Sequence, residues 1–155
     1  INKNIKFLFL LMGTIVGFAF SLLQENKKNI FYSVEDIENI FKYPILDELE
    51  NTDPFNIEKS IKFISSNLQI NSIDKFGIVF LGDINDGIID IFKKYCDIYF
   101  KSKQISLNND IKEAVNESYK LIVLDMKSTK KNDLYNLVKK IVSNKLSIIG
   151  LIVIK

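Results

Sequence analysis

Three uninterrupted apolar runs limit the folds open to this chain: "FGIVFL" (Phe76–Leu81), "KLIVLD" (Lys120–Asp125) and "SIIGLIVI" (Ser147–Ile154). Each has the length of a strand and no polar alternation, the pattern of strands buried on both faces. Amphipathic segments separate them. "DGIIDIFKKYC" spaces Ile88, Ile91, Phe92 and Tyr95 for a helix, and "KKNDLYNLVKKIVSNKL" does so with Leu134, Leu137, Val138 and Ile141. Strands alternating with helices predict an α/β fold, a small and mostly parallel sheet with covering helices and right-handed crossovers. "DIYFK" and "KQISL" both offer a further strand, and "NNDIKEAVNESY" reads as a short helix capped by Asn109 or Asp110.

Before this region lies "FLFLLMGTIVGFAFSLL", Phe7–Leu23, with 17 residues and no charge. That run accounts for 47% hydrophobic residues and a mean hydropathy of +0.10 in a chain with 26% charged residues. About 17–25 apolar residues cross a bilayer, so the segment is expected to be a transmembrane helix at the short end of the range. A signal peptide is the alternative, since Lys3 and Lys6 precede the run and Ala19 and Ser21 close it. Gly13 and Gly17 have the GxxxG spacing that lets two membrane helices approach, which makes them candidate packing positions. Lysine pairs flank both ends, Lys3/Lys6 and Lys27/Lys28, so charge alone does not orient the span. The lysine-rich remainder, with a single cysteine, leans to the cytoplasmic side.

Between the two regions, "YSVEDIENIFKYPIL" reads as a helix with Ser33 as N-cap, Asp36 three residues on, and Pro44 as its stop. "DELENTDP", Asp47–Pro54, reads as a solvated acidic loop. "FNIEKSIKFISSNLQI" then gives a second amphipathic helix through Ile57, Ile61, Ile64 and Leu68, and "NSID" a turn. The expected organisation is a membrane helix with its flanks (1–30), a helical linker (31–72) and an α/β domain (73–155).

The chain has 155 residues and a net charge of +2, too small to argue for nucleic acid. One cysteine and no histidine exclude an internal disulfide, a cysteine zinc cluster and any catalytic dyad built on histidine. Cys96, on an apolar helical face, reads as a small buried filler.

"FLGDINDGII", Phe80–Ile89, is the most suggestive stretch. Gly82 and Gly87 stand where a phosphate-cradling loop has its glycines, after a strand and before a helix. Ile88 and Ile89 stand where that loop needs its Lys and its hydroxyl. Asp83 and Asp86 would repel phosphate, and Lys93 comes too far into the helix to help. The expected role is a strand-to-helix turn with Asp86 as cap, binding no cofactor. Asp125, closing "LIVLD", sits where a Mg²⁺ ligand would follow a strand, but with no phosphate for the metal to bridge it reads as an ordinary loop starter and only a weak metal candidate. Asp97, Asp110 and Asp125 cannot be assembled into a metal site from spacing alone.

The order of parts resembles the second half of a bacterial polysaccharide co-polymerase, the chain-length-determinant family, including members fused to a tyrosine-kinase domain. In "FYSVEDIENIFKYPILDELE", Glu35, Asp36, Ile37, Pro44, Ile45 and Leu46 match the family's helix and turn after its last membrane span. In "NIEKSIKFISSNLQI", Glu58, Ile61, Asn67 and Leu68 match the helix before the ATPase strand. "KFGIVFLGDINDGII" falls where the kinase-type phosphate loop belongs. The resemblance implies a degenerate, P-loop-like domain without catalysis, at the inner membrane with residues after about 24 cytoplasmic. It also implies a homo-oligomer beside the polysaccharide polymerase or export proteins, preceded by a first membrane helix and an extracytoplasmic domain. Ile88 and Ile89 depart from the kinase pattern. An active kinase or ATPase completed by a partner, or a membrane-tethered interaction module unrelated to polysaccharide, are the alternatives.

Overall fold

The computed structural model describes residues 3–67, 73–101, 103–108 and 119–155. The chain runs α1 (Lys3–Lys28), α2 (Val34–Ile40), β1 (Ile45–Leu49), α3 (Pro54–Asn67), β2 (Lys75–Leu81), α4 (Asp86–Tyr99), β3 (Gln104–Asn108), β4 (Tyr119–Asp125), α5 (Lys131–Ser143) and β5 (Ser147–Ile154). Among the described residues one five-stranded sheet forms in the order β1-β5-β4-β2-β3. Each of its pairings is parallel. The fold is α/β, with an N-terminal apolar helix and helices on both faces of the sheet.

Period-two geometry divides each buried strand between two cores. Phe76, Ile78 and Phe80 of β2, Leu121 and Val123 of β4, and Ile152 and Ile154 of β5 pack beneath α3 and α4, with Ile57, Ile61, Ile64, Phe92 and Cys96. Val79, Leu81, Ile122, Leu124, Leu151 and Val153 point the other way, onto Ile37 and Phe41 from the α2 region and Leu134, Leu137 and Ile141 of α5. Both faces are covered, which is why these strands carry no polar residue in their centres. Phe80 meets Phe92 edge to face at 5.6 Å, tying β2 to α4. Tyr99 donates a hydrogen bond to Glu58 at 2.6 Å, which ties α4 to α3.

The 31–67 segment is more than helical. Residues 45–49, expected within a helix stop and an acidic loop, form the edge strand β1 along β5. They read as loop because the strand carries two acids in succession, the half-buried Asp47 and the exposed Glu48, at a sheet edge where charge discourages pairing with another chain. Helix α2 ends at Ile40, before Pro44, with the Phe41 N–H returning to the Ile37 carbonyl at 2.7 Å. Pro44 instead precedes β1, and its carbonyl accepts from the Leu151 N–H at 3.0 Å. Ser33 is the N-cap as expected, accepting from the Asp36 N–H at 3.4 Å. Ser33→Ala is expected to lower stability by about 1 kcal/mol, read as a fall in the urea midpoint at unchanged slope.

"DIYFK" is not a strand. Asp97–Tyr99 continues α4, whose apolar face extends through Phe92 and Cys96, and Phe100 caps it. "KQISL" supplies β3. The helix expected over "NNDIKEAVNESY" with its Asn109 or Asp110 cap, the expected continuation of the second amphipathic helix to Leu68 and the first half of the "NSID" turn lie outside the described residues.

Helix α1 holds a 20-residue stretch, Ile5–Gln24, of mean hydropathy 2.1, none of it buried by the rest of the chain. At 1.5 Å per residue its length is about 30 Å, the thickness of a bilayer's hydrocarbon core. By length and composition it is able to cross a membrane.

Candidate functional site

The sheet's winding selects one region. From β2 the chain moves outward to β3, then returns across β2 to β4 and on to β5. The helices that follow β2 and β4 therefore cover opposite faces: α4 lies on one core and α5 on the other. Where adjacent strands send their helices to opposite sides, a crevice opens at their carboxyl ends, the usual ligand position in such sheets. Here its walls are the loops after β2 and β4, and Gly82, Asp83 and Asp125 fall in it together.

Gly82 turns the chain with φ of 96°, a left-handed conformation open to glycine. It also lies against the β4 loop. A Cβ at this position would stand 2.5 Å from Ser128 Oγ, 2.7 Å from Thr129 Oγ1 and 3.0 Å from Asp125 Cβ. The Asp83 N–H donates to Ser128 Oγ at 2.7 Å, and Ser128 Oγ donates to Asp125 Oδ2 at 2.6 Å. The other carboxylate oxygen, Oδ1, accepts from the Lys127 N–H at 3.0 Å. The β2 and β4 loops are thus one hydrogen-bonded unit, with the half-buried Asp125 carboxylate at its centre.

A phosphate cradle needs backbone N–H groups aimed at empty space. In this loop three of them are engaged within the protein. The Asp83 N–H goes to Ser128, the Ile88 N–H to Asn85 Oδ1 at 2.9 Å, and the Ile89 N–H to the Asn85 carbonyl at 3.2 Å. Asn85, not Asp86, is the N-cap of α4; Asp86 is its first helical residue and exposed. The two neighbours compete for the same role, and the chain takes the amide one position earlier. Gly87 lies exposed in the first turn of α4; Ile88 and Ile89, half-buried, pack against the α3/α4 core, and Ile88 also lines the neighbouring cleft, where it offers no charge or hydroxyl.

Beside this unit is an open cleft of about 320 Å³, with Asp83, Asp125 and Lys127 on one wall and Glu50, Ile154 and Lys155 on the other. Lys155 Nζ is held by Glu48 at 2.6 Å and Glu50 at 3.0 Å. Those two carboxylates raise its pKa, the Glu48 contact most. Its charge is therefore already matched, and the two aspartates leave a potential that disfavours a polyanion. Among the described residues no three acidic, cysteine or histidine side chains gather as a metal cage.

The other sequence candidates lie apart. Asp97 is exposed on α4, and Asp110 lies outside the described residues. Cys96 is buried, and burial pushes its thiol up to about 12, so it stays a neutral core filler. Gly13 and Gly17 occupy one side of α1 one turn apart, and a Cβ on either would meet nothing within 4 Å. Ser128 was not foreseen. Its partner Asp83 lies 45 residues away, and no local spacing announces that contact. Compared with family models, with curated proteins and with solved structures, the chain matches none of them.

Proposed function

We propose that this chain is a non-enzymatic, membrane-anchored α/β module that regulates the length or export of a cell-surface polysaccharide. In this reading α1 spans the inner membrane, residues after about 24 are cytoplasmic, and copies assemble through the Gly13/Gly17 face beside a polymerase or export protein. The polysaccharide assignment rests on the resemblance of the Phe31–Leu68 segment and on the order of parts: span, short capped helix, second helix, loop-bearing strand.

The observation that carries the non-enzymatic part is the state of the β2–α4 loop. Its Asp83, Ile88 and Ile89 N–H groups are engaged within the protein, and Asp83 and Asp125 present carboxylates where phosphate would have to sit. Ser128 acts as a bridge between loops.

Titration of the full chain in detergent with magnesium-ATP by calorimetry is expected to give no heat of binding up to millimolar nucleotide. Binding at micromolar strength would overturn the non-enzymatic reading in favour of a kinase or ATPase. The polysaccharide assignment has its own measurement: deleting the chain in its host should shift the length distribution of a surface polymer on a gel. An unchanged distribution would leave an interaction module without that role.

A further inference from the structure

The end of α1 is anchored to one rim of the sheet. Asn29 follows Lys28 with φ of 53°, a left-handed residue that ends the helix and turns the chain. Its carbonyl accepts from the Lys131 N–H at 2.7 Å, and Ile30 forms an isolated bridge with Lys130. Phe31, the next residue, is buried in the α5-side core. The chain therefore enters the α/β unit at the β4–α5 loop, with no free linker after Asn29. Gln24 closes the apolar stretch, and five helical steps to Asn29 cover only about 7.5 Å.

Because the sheet is parallel, the β4–α5 loop shares its rim with the carboxyl ends of all the other strands. The Glu50–Asp53 loop, the Gly82–Asn85 loop and Lys155 are on it. Two exposed aromatics stand there as well: Phe55, 74% exposed in the first turn of α3, and Tyr32, 57% exposed just before α2. Aromatic side chains with one apolar end suit the headgroup layer. The rim also carries Glu50, Asp53, Asp83 and Asp86 against Lys127 and Lys130. Attraction to anionic lipid is thus not what holds it; the short tether and the aromatics are.

We propose that the carboxyl-end rim of the sheet is a lipid-facing surface, with Phe55 and Tyr32 in the headgroup layer and the Asp83/Asp125 cleft opening beside it. The proposal rests on α1 spanning a bilayer. It places the amino ends of the strands away from lipid, since a seven-residue strand such as β2 separates the two edges by about 23 Å.

The test uses the full chain in phosphatidylcholine vesicles, with and without phosphatidylglycerol. A fluorophore is attached through Lys127→Cys on the rim, or through Lys75→Cys or Ser147→Cys at the far edge. The native thiol of Cys96, 1% exposed, stays unlabelled. Lipids carrying a nitroxide at the headgroup are expected to quench the rim label and leave both far-edge labels bright, whatever the phosphatidylglycerol content. Adding Phe55→Ser is expected to reduce rim quenching while the chain still floats with the vesicles. Equal quenching at both edges, stronger quenching at the far edge, or rim quenching that needs phosphatidylglycerol overturns the proposal. Rim quenching unchanged by Phe55→Ser overturns the aromatic contact. A chain that leaves the vesicles in an alkaline wash overturns the membrane span itself, a result flotation reads independently of fluorescence.

Discussion

Gly82→Ala is expected to destabilise the protein by about 2–4 kcal/mol, the sum of a strained left-handed backbone and steric overlap. The new methyl would fall on Ser128 Oγ and Thr129 Oγ1, with Asp125 Cβ behind them. Ser128 can rotate away, but rotation gives up its bonds to the Asp83 N–H and to Asp125 together. Thr129 is buried and has less room to move. Urea unfolding followed by far-UV circular dichroism measures the loss as a lower midpoint with unchanged slope. A double-mutant cycle assigns the cause. In a Ser128→Ala background the overlap with Ser128 Oγ is gone while that with Thr129 Oγ1 remains, so Gly82→Ala should cost about 1 kcal/mol less there. Equal costs in both backgrounds would mean that Ser128 contributes nothing, leaving backbone strain and the overlap with Thr129 as the cause.

Gly150→Ala is the second large effect, expected at about 1–3 kcal/mol, and it acts within β5, against the edge strand β1. A Cβ there would stand 2.5 Å and 2.8 Å from Leu46 Cγ and Cδ1, and 2.8 Å from the Pro44 carbonyl oxygen. That carbonyl holds the Leu151 N–H, so pushing it away breaks the first link between β1 and β5. The side chain of Leu46 is able to shift, but the Pro44 carbonyl is backbone. Hydrogen exchange should therefore show amides of residues 45–49 losing protection before those of β2 and β4. Leu46→Ala should recover part of the loss in the Gly150→Ala background. Uniform loss of protection across the sheet would count against a local effect at β1.

The central strands and the helices between them were legible because burial on both faces leaves no polar residue in their middles. Ile78, Val79, Leu121 and Ile122 announce a parallel sheet wherever they occur. Edge strand β1 was not legible. One side of it faces solvent, so "ILDEL" has the composition of a loop, and its partner β5 comes near the other end of the sequence. The continuation of α4 through "DIYFK" was obscured by aromatic and β-branched residues that also suit strands, and burial of Cys96 and Phe100 decided for the helix.

At the site, the glycines and acids of the β2–α4 loop were readable one by one. Their contacts were not. Asp125 read first as a loop starter and only weakly as a metal ligand, and what it does depends on Ser128, which the Asp83 N–H of the other loop holds in place. Such assignments live in the packing of two loops. The choice of Asn85 over Asp86 as cap is a one-residue shift that propensity does not resolve.

The pairing of β1 with β5 also orders events in time. Lys155 and its partner Glu50 are 105 residues apart, and among the described residues β1 pairs only with β5. During synthesis the apolar helix and β1 leave the ribosome long before β5 exists. The hydrogen-bonding edge of Ile45–Leu49 has to wait, already close behind a segment suited to enter a membrane. Its acidic residues keep that waiting strand soluble and unattractive to other nascent chains. Completion of the sheet is then a late step, slowed by the loop that must close to bring the two strands together.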